Sequence, residues 1–363
     1  MTITPTAAGS AAASTPAGGS SRAESFAVKT MRVRQVRWEA EGVISIELVM
    51  ADGSPAPAWE PGAHVDVVLP SGLVRQYSLC GDPADRSCLK VAVLRDANGR
   101  GGSRELHETP LVGRTLEIRG PRNHFKLGEA DEYLLIAGGI GITPILTMLR
   151  HLDSDGAAYK LVYGGRSRST MAFLDELAAY GGVEVVAEDE SGLPDLDAVL
   201  DAASPGTEVW CCGPEGLLRA VEAAGKARGI PVHVERFGTQ GPPRPRTSAP
   251  VSAAGAATEV AGSDGVPANG ATVADGAFQV ELRQSGMTLD VDPDRTILEV
   301  VREHIPTVIS SCEEGFCGAC ETVVVDGIPD HRDDVLSDDE RAANETMMIC
   351  VSRACSKRLV LDL

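Results

Sequence analysis

Four cysteines carry the strongest chemical signal in the chain. Three lie in the run Cys312-Glu-Glu-Gly-Phe-Cys317-Gly-Ala-Cys320, and the fourth, Cys350, lies well downstream. The spacing C-x4-C-x2-C…C is that of plant-type [2Fe–2S] loops. Three thiolates on one tight loop can wrap one side of such a cluster, and a distant fourth can close it. Gly315 and Gly318 let backbone amides approach the sulfurs. The competing reading is a zinc loop, but zinc sites favour paired C-x2–4-C knuckles, and one such pair can be read here. Cys355, five residues past Cys350, is read as filler.

A second constellation is Arg75-Gln76-Tyr77-Ser78-Leu79. On a strand, Arg75 and Tyr77 face one side and Ser78 the other, or sits at a kink. An arginine, a phenol and a hydroxyl suit a phosphate, a flat ring and a ring heteroatom. Downstream, Gly99-Arg-Gly101-Gly102-Ser103 opens a short helix, where backbone N–H groups can cradle a phosphate. Each motif alone fits an ordinary strand or turn; together they suggest one phosphate-bearing flavin. The third is Ala137-Gly138-Gly139-Ile140-Gly141-Ile142-Thr143-Pro144, between a strand and a helix. Its glycines allow a pyrophosphate close to the helix N-terminus, although it is not G-x-G-x-x-G. Cys211-Cys212-Gly213-Pro214-Glu215 makes a second strand-to-helix turn, and a thiol and a glycine there stand well beside a ligand.

The elements that must position these residues fall into three patterns. From Phe26 to about Arg119, short Val-rich alternating runs (Ala27–Trp38, Val43–Val49, His64–Leu69, Leu89–Leu94, Thr115–Ile118) predict an antiparallel β-barrel or sandwich, with a short helix at Ser103–His107. From Tyr133 strands and helices alternate. Strands are expected at Tyr133–Ala137, Lys160–Tyr163, Val183–Ala187, Val209–Cys211 and Val232–Val234. Helices are expected at Thr143–His151, Met171–Ala179, Leu196–Ala202 and Glu215–Ala227. That is an α/β doubly wound parallel sheet. In the last module a hairpin (Phe278–Leu282, Met287–Val291), a helix at Thr296–Glu303, the cysteine loop and a strand at Thr322–Val325 follow one another. Residues 1–25 and 238–276 are poor in large apolar side chains and read as a disordered tail and a flexible linker.

The 363 residues carry a net charge of −19. Such acidity repels phosphate backbones, and 4% aromatics leave few stacking platforms, so nucleic acid is an unsuited partner. No signal peptide or membrane span is visible, which predicts a soluble, cytoplasmic protein whose nine cysteines serve metal or core rather than disulfides. Residues 277–363 hold 18 acids against 8 bases, a net −10, while the rest of the chain carries −9.

The three motifs in this order resemble the phthalate dioxygenase reductase family, which includes vanillate demethylase reductases, over residues 26–363 apart from the linker. The resemblance implies an FMN-binding β-barrel domain over 26–125, an NAD-binding domain over 126–237 and an α+β, β-grasp, plant-type ferredoxin domain over 277–363. It assigns Arg75, Tyr77 and Ser78 to the isoalloxazine and phosphate of FMN, with Gly102 and Ser103 also at the phosphate. Gly139, Gly141 and Thr143 would line the nicotinamide nucleotide site, with Cys212 and Gly213 near the nicotinamide. Phe237 would cover the flavin, and Gly120-Pro121-Arg122-Asn123-His124-Phe125 would form the passage between the first two domains. Cys312, Cys317, Cys320 and Cys350 would hold the cluster. Two departures stand out: the long linker, which implies looser docking of the ferredoxin domain, and Arg166 and Arg168, which could grip the 2′-phosphate of NADPH, although the family implies NADH. The implied activity is reductase to a separate Rieske non-haem iron oxygenase that docks on the acidic ferredoxin domain. The alternatives are donation to a cytochrome P450 and a non-catalytic iron–sulfur redox sensor.

Overall fold

The computed structural model describes residues 28–97, 99, 101–237, 276–310, 312–315 and 317–363. The expected tail over 1–25, and the expected linker but for Gly276, lie outside these residues.

The first strands are β1 (Val28–Ala40), β2 (Val43–Met50), β3 (His64–Val68), β4 (Val74–Ser78), β5 (Leu89–Leu94) and β6 (Thr115–Arg122). They form an antiparallel sheet in the order β4-β3-β6-β1-β2-β5. A bridge between Leu79 and Val91 joins its two ends into a barrel. Alternation decides the inside: Leu116 and Ile118 of β6 join Met31, Val33, Ile46, Leu48, Val65 and Val67 in one apolar core. Helix α1 (Gly102–Glu108) adds Leu106 to it.

Five parallel strands follow: β7 (Glu132–Gly138), β8 (Tyr159–Gly165), β9 (Val183–Ala187), β10 (Thr207–Cys212) and β11 (Val232–Glu235), in the order β11-β10-β7-β8-β9. They alternate with α2 (Ile142–Asp155), α3 (Leu174–Leu177), α4 (Glu188–Ser191), α5 (Leu196–Asp201) and α6 (Glu215–Arg228). The helix expected over Met171–Ala179 is reduced to the single turn α3. Met171, Ala172 and Phe173 turn into the core, and Phe173 adopts a left-handed φ of 64° that interrupts the helix. Their apolar spacing came from loop packing, not from a helix face. The sheet and the barrel share a core, in which Ala40, Cys80, Ala92 and Phe125 meet Leu135, Ile145, Met148 and Leu149. Arg150 crosses the joint, its Nη1 donating to the carbonyls of Cys80 (2.8 Å) and Gly81 (2.6 Å).

The third unit holds β12 (Phe278–Leu282), β13 (Met287–Val291), α7 (Ile297–His304), β14 (Glu321–Asp326), β15 (Pro329–Asp330), α8 (Asp338–Ala343), β16 (Thr346–Met348), β17 (Arg353–Ala354) and β18 (Arg358–Leu361). Its main sheet runs β13-β12-β18-β14-β16, with β12 parallel to β18 and the other pairs antiparallel, a β-grasp arrangement. Thr296 and Glu299 form a capping box at the start of α7, which buries Ile297, Leu298, Val300 and Val301 against the sheet. No helix among the described residues is long and apolar enough to cross a membrane.

Candidate functional site

The cysteine loop joins α7 to β14, and Cys350 lies just after β16, anchored because the neighbouring Ile349 carbonyl accepts from the amide of Leu298 on α7 (2.9 Å). Cys317, Cys320 and Cys350 are buried and Cys312 is half-buried. The amides of Cys312 and Ala319 both donate to Cys317 Sγ, and that of Glu314 donates to Cys312 Sγ, each at 3.4 Å. Among the described residues no three His, Cys, Asp or Glu side chains close on a single ion. Instead the sulfurs are joined pairwise: Cys312 is in hydrogen-bond contact with Cys317 and Cys350, and Cys350 also with Cys320. That crowding, with burial, pushes the Cys317 and Cys350 thiols well up. Four thiolates so close can coexist only around cationic metal, and the amides aimed at sulfur suit a multi-iron cluster. Cys355 stands apart; its amide donates to the Ile328 carbonyl, and burial raises its thiol.

The nucleotide motifs meet at the switch point of the parallel sheet. The chain goes outward from β7 through β8 to β9, then returns to place β10 on the other side of β7. The carboxyl ends of β7 and β10 therefore border the crevice where such sheets bind ligands. Gly141 opens α2 there with no side-chain cap, which leaves first-turn amides available. A Cβ on Gly141 would lie 2.2 Å from the Cys212 carbonyl oxygen, so only glycine lets these two turns touch. Gly139, by contrast, has nothing within 4 Å of where a Cβ would be and faces open space. Thr143 is buried, its hydroxyl donating to the Ile140 carbonyl at 3.0 Å. Cys212 is buried and kept a neutral thiol by burial and by nearby Glu235.

In the barrel, β3 sets Tyr77 opposite Val65 and Arg75 opposite Val67, while Ser78 pairs with His64 and Gln76 with Asp66. The motif therefore divides its side chains between two faces, as the alternation requires. The Arg75 side chain lies over Gly102, where a Cβ would come within 2.6 Å of its Cγ, so guanidinium and helix start are brought together. Tyr77 is largely buried, which raises its phenol against the lowering effect of Arg75. Ser103 Oγ accepts from the Asp96 amide at 3.1 Å and holds the loop before α1. Phe237 is 45% exposed at the end of the nucleotide unit. Arg168 is paired with Glu190, its Nε 3.1 Å from both carboxylate oxygens.

Sequence reasoning missed Glu235 as a site residue. It ends β11 in register with Cys212. It accepts from Ser78 Oγ at 3.1 Å, and one of its oxygens lies 3.9 Å from Nδ1 of the buried His64. Burial raises the Glu235 carboxyl to about 8, against the lowering effect of Ser78. The folded chain thus holds a proton here that the unfolded chain has released above the ordinary carboxyl range. This contribution to stability is full at acid pH and is lost as pH rises through about 8. The unfolding midpoint of the wild type is expected to fall more steeply than that of Glu235→Gln as pH rises from about 4.5 to about 8, and no more steeply above that. Equal slopes in differential scanning calorimetry would show Glu235 to be ionised throughout. No signal in the sequence marks this residue, because it meets Ser78 only through the packing of two units.

Residues 280–355 match the 2Fe-2S iron-sulfur cluster binding domain, and residues 135–223 the oxidoreductase NAD-binding domain. The chain is 39% identical over 350 residues to the phenoxybenzoate dioxygenase subunit beta of Ectopseudomonas oleovorans, covering 94% of this chain and 100% of that protein. It is 35% identical to a solved phthalate dioxygenase reductase, described as a modular structure for electron transfer from pyridine nucleotides to [2Fe-2S], with a TM-score of 0.62 over 93% of this chain and 98% of that one. This chain belongs to the phthalate dioxygenase reductase family. It is an oxidoreductase, the reductase component of an oxygenase system, with a [2Fe–2S] cluster-binding domain and an NAD-binding domain. It also matches an intact type IV self-sufficient cytochrome P450 monooxygenase, at 42% identity and a TM-score of 0.75 over 93% of this chain. It spans 41% of that longer protein.

Proposed function

We propose that this reductase uses NADH and delivers its electrons to a separate Rieske non-haem iron oxygenase that docks on the ferredoxin unit. The observation that carries the reading is the position of β4. Ser78 of that strand reaches Glu235 beside Cys212, and Gln76 of the same strand reaches Cys317. One strand of the barrel thus touches both the nucleotide crevice and the cysteine loop. The domains are assigned to 26–125, 126–237 and 277–363.

The flavin, when bound, would supply the link between a two-electron hydride donor and a one-electron acceptor, and the cluster would supply that one-electron acceptor. Over a cycle NADH becomes NAD+ and a proton, and two electrons leave. The chain's own work is positioning and exclusion of water. Arg75, Gly102 and Ser103 hold the FMN phosphate, and Tyr77 and Ser78 orient the ring. Gly139, Gly141 and Thr143 seat the nucleotide, and Cys212 and Gly213 flank the nicotinamide. Phe237, exposed at the end of the nucleotide unit, would cover the flavin. Cys312, Cys317, Cys320 and Cys350 ligate iron. NADH is favoured over NADPH because Glu188, Asp189 and Glu190 outnumber Arg166 and Arg168 at the ends of β8 and β9, and Arg168 is already paired. A 2′-phosphate there would meet net negative charge.

The net −10 of residues 277–363 supports an acidic docking face. The test is NADH-driven reduction of a purified terminal oxygenase across ionic strength. The rate is expected to fall roughly tenfold or more as the screening length shrinks from about 30 Å at 0.01 M salt to about 8 Å at 0.15 M. A salt-independent rate would refute the acidic docking face, and absence of NADH-dependent cytochrome c reduction would refute the NADH reading. A second reading, donation to a cytochrome P450, is favoured by the likeness to the self-sufficient monooxygenase. Faster reduction of a P450 than of a Rieske oxygenase would select it.

A further inference from the structure

On β4, Arg75 and Tyr77 face one side and Gln76 faces the other, where Asp66 and Arg119 follow across β3 and β6. Gln76 Nε2 donates to the carbonyl oxygen of Cys317 at 2.5 Å, across 241 residues of sequence. Beside it, His124 lies against the backbone of Gly318: a Cβ there would come within 3.1 Å of His124 Nε2 and 3.5 Å of Val335 Cγ1. His124 is itself backed by buried His64, with ring centroids 5.4 Å apart and planes at 28°. The segment that carries His124 is held by the Arg122–Asp66 ion pair, buried at 2.7 Å. Burial lowers the His124 imidazole and favours its neutral form, with Glu321 and Glu340 on one hand and Arg122 and Lys126 on the other acting in opposite directions.

We propose that Gln76 and His124 are positioning residues that seat the cysteine loop on the flavin-binding barrel and thereby set the flavin-to-cluster electron-transfer rate. The proposal rests on the reductase reading above. Gln76 is suited to this because it lies between Arg75 and Tyr77 yet points away from both, on the face it shares with Ser78. A hydrogen bond to the carbonyl of a ligand cysteine locks the loop itself rather than the surface of the unit. Gly318 is suited because its bare backbone, at φ 71°, lets the loop lie closely against the imidazole. Transfer between two centres depends on how closely and precisely they are held, so a loop that shifts off the barrel slows it.

The experiment uses the full-length holoprotein and the variants Gln76→Leu and Gln76→Leu/His124→Ala, with iron content and cluster EPR checked before use. In rapid mixing with NADH, flavin bleaching should match the wild type. The later bleaching of the cluster should slow by about tenfold or more in the double variant. Hydrogen exchange of the amides in residues 312–320 should also accelerate without any NADH present, a readout independent of turnover. An unchanged cluster phase together with unchanged exchange overturns the proposal. Should the double variant not accumulate in folded form, Gln76→Leu alone decides by the same two readouts. A wild-type protein whose flavin does not bleach with NADH would instead overturn the NADH reading, so the two failures are distinguishable.

Discussion

Cys317→Ser is expected to abolish the rhombic EPR signal of the reduced protein and to lower its bound iron on the order of a hundredfold. Cytochrome c reduction should fall with it, while direct NADH–ferricyanide activity persists. Cys317 is a well-supported sulfur of the loop. It receives two backbone amides and is in contact with the Cys312 thiol. A serine oxygen is shorter, harder and ionises far less readily, so it neither fills the sulfur's place nor supplies the negative charge. The fold should survive the change, because Cys317 is not part of the apolar core of the ferredoxin unit, which Val280, Leu282, Ile297, Val301 and Leu359 build together with Cys320 and Cys350. Cys355→Ser is the control, since that thiol lies outside the group of four and should leave iron and EPR unchanged. Persistence of the full EPR signal in Cys317→Ser would overturn the ligand assignment.

Gly141→Ala should damage nucleotide use more than any other single methyl group added to the crevice. The new carbon would sit 2.2 Å from the Cys212 carbonyl oxygen and 2.7 Å from the Gly213 amide nitrogen. Both are backbone atoms, so no side chain can rotate away. Either the start of α2 or the turn after β10 must move, and these are the two walls of the crevice. Overpacking of this kind costs about 1–3 kcal/mol or more, which for the coupled barrel and nucleotide sheet corresponds to a melting point lower by roughly 5 °C. The KM for NADH should rise by about tenfold or more, because first-turn amides and crevice no longer align. Gly139→Ala adds the same methyl into open space and carries only the strain of a left-handed residue at φ 55°. It should therefore cost less in both measurements. If Gly141→Ala and Gly139→Ala behave alike, close contact of the two turns is not what seats the nucleotide.

Much of the architecture was readable because local patterns and tertiary demands agreed. Val-rich alternation marked the barrel strands, and strand–helix alternation marked the parallel sheet. The helix over Ile297–His304 follows from the capping box of Thr296 and Glu299 and from its apolar spacing. Agreement failed where packing overrode pattern. Met171, Ala172 and Phe173 looked helical but serve the core from a turn. The short strands β15 to β17 are held by pairing to distant segments, such as Pro329 with Ala354, and carry too few residues for a period to show.

The cysteine spacing and the glycine-rich turns were determined by sequence alone, because a cluster or a phosphate imposes its geometry on neighbouring residues within one loop. What only the tertiary structure decided is how the three sites meet. Glu235 reaches Ser78, His124 lies on Gly318, and Gln76 donates to Cys317 across units far apart in the chain. No local rule encodes such contacts. Each depends on which faces of β3, β4 and β6 are left outside the barrel core, and on which other unit covers them.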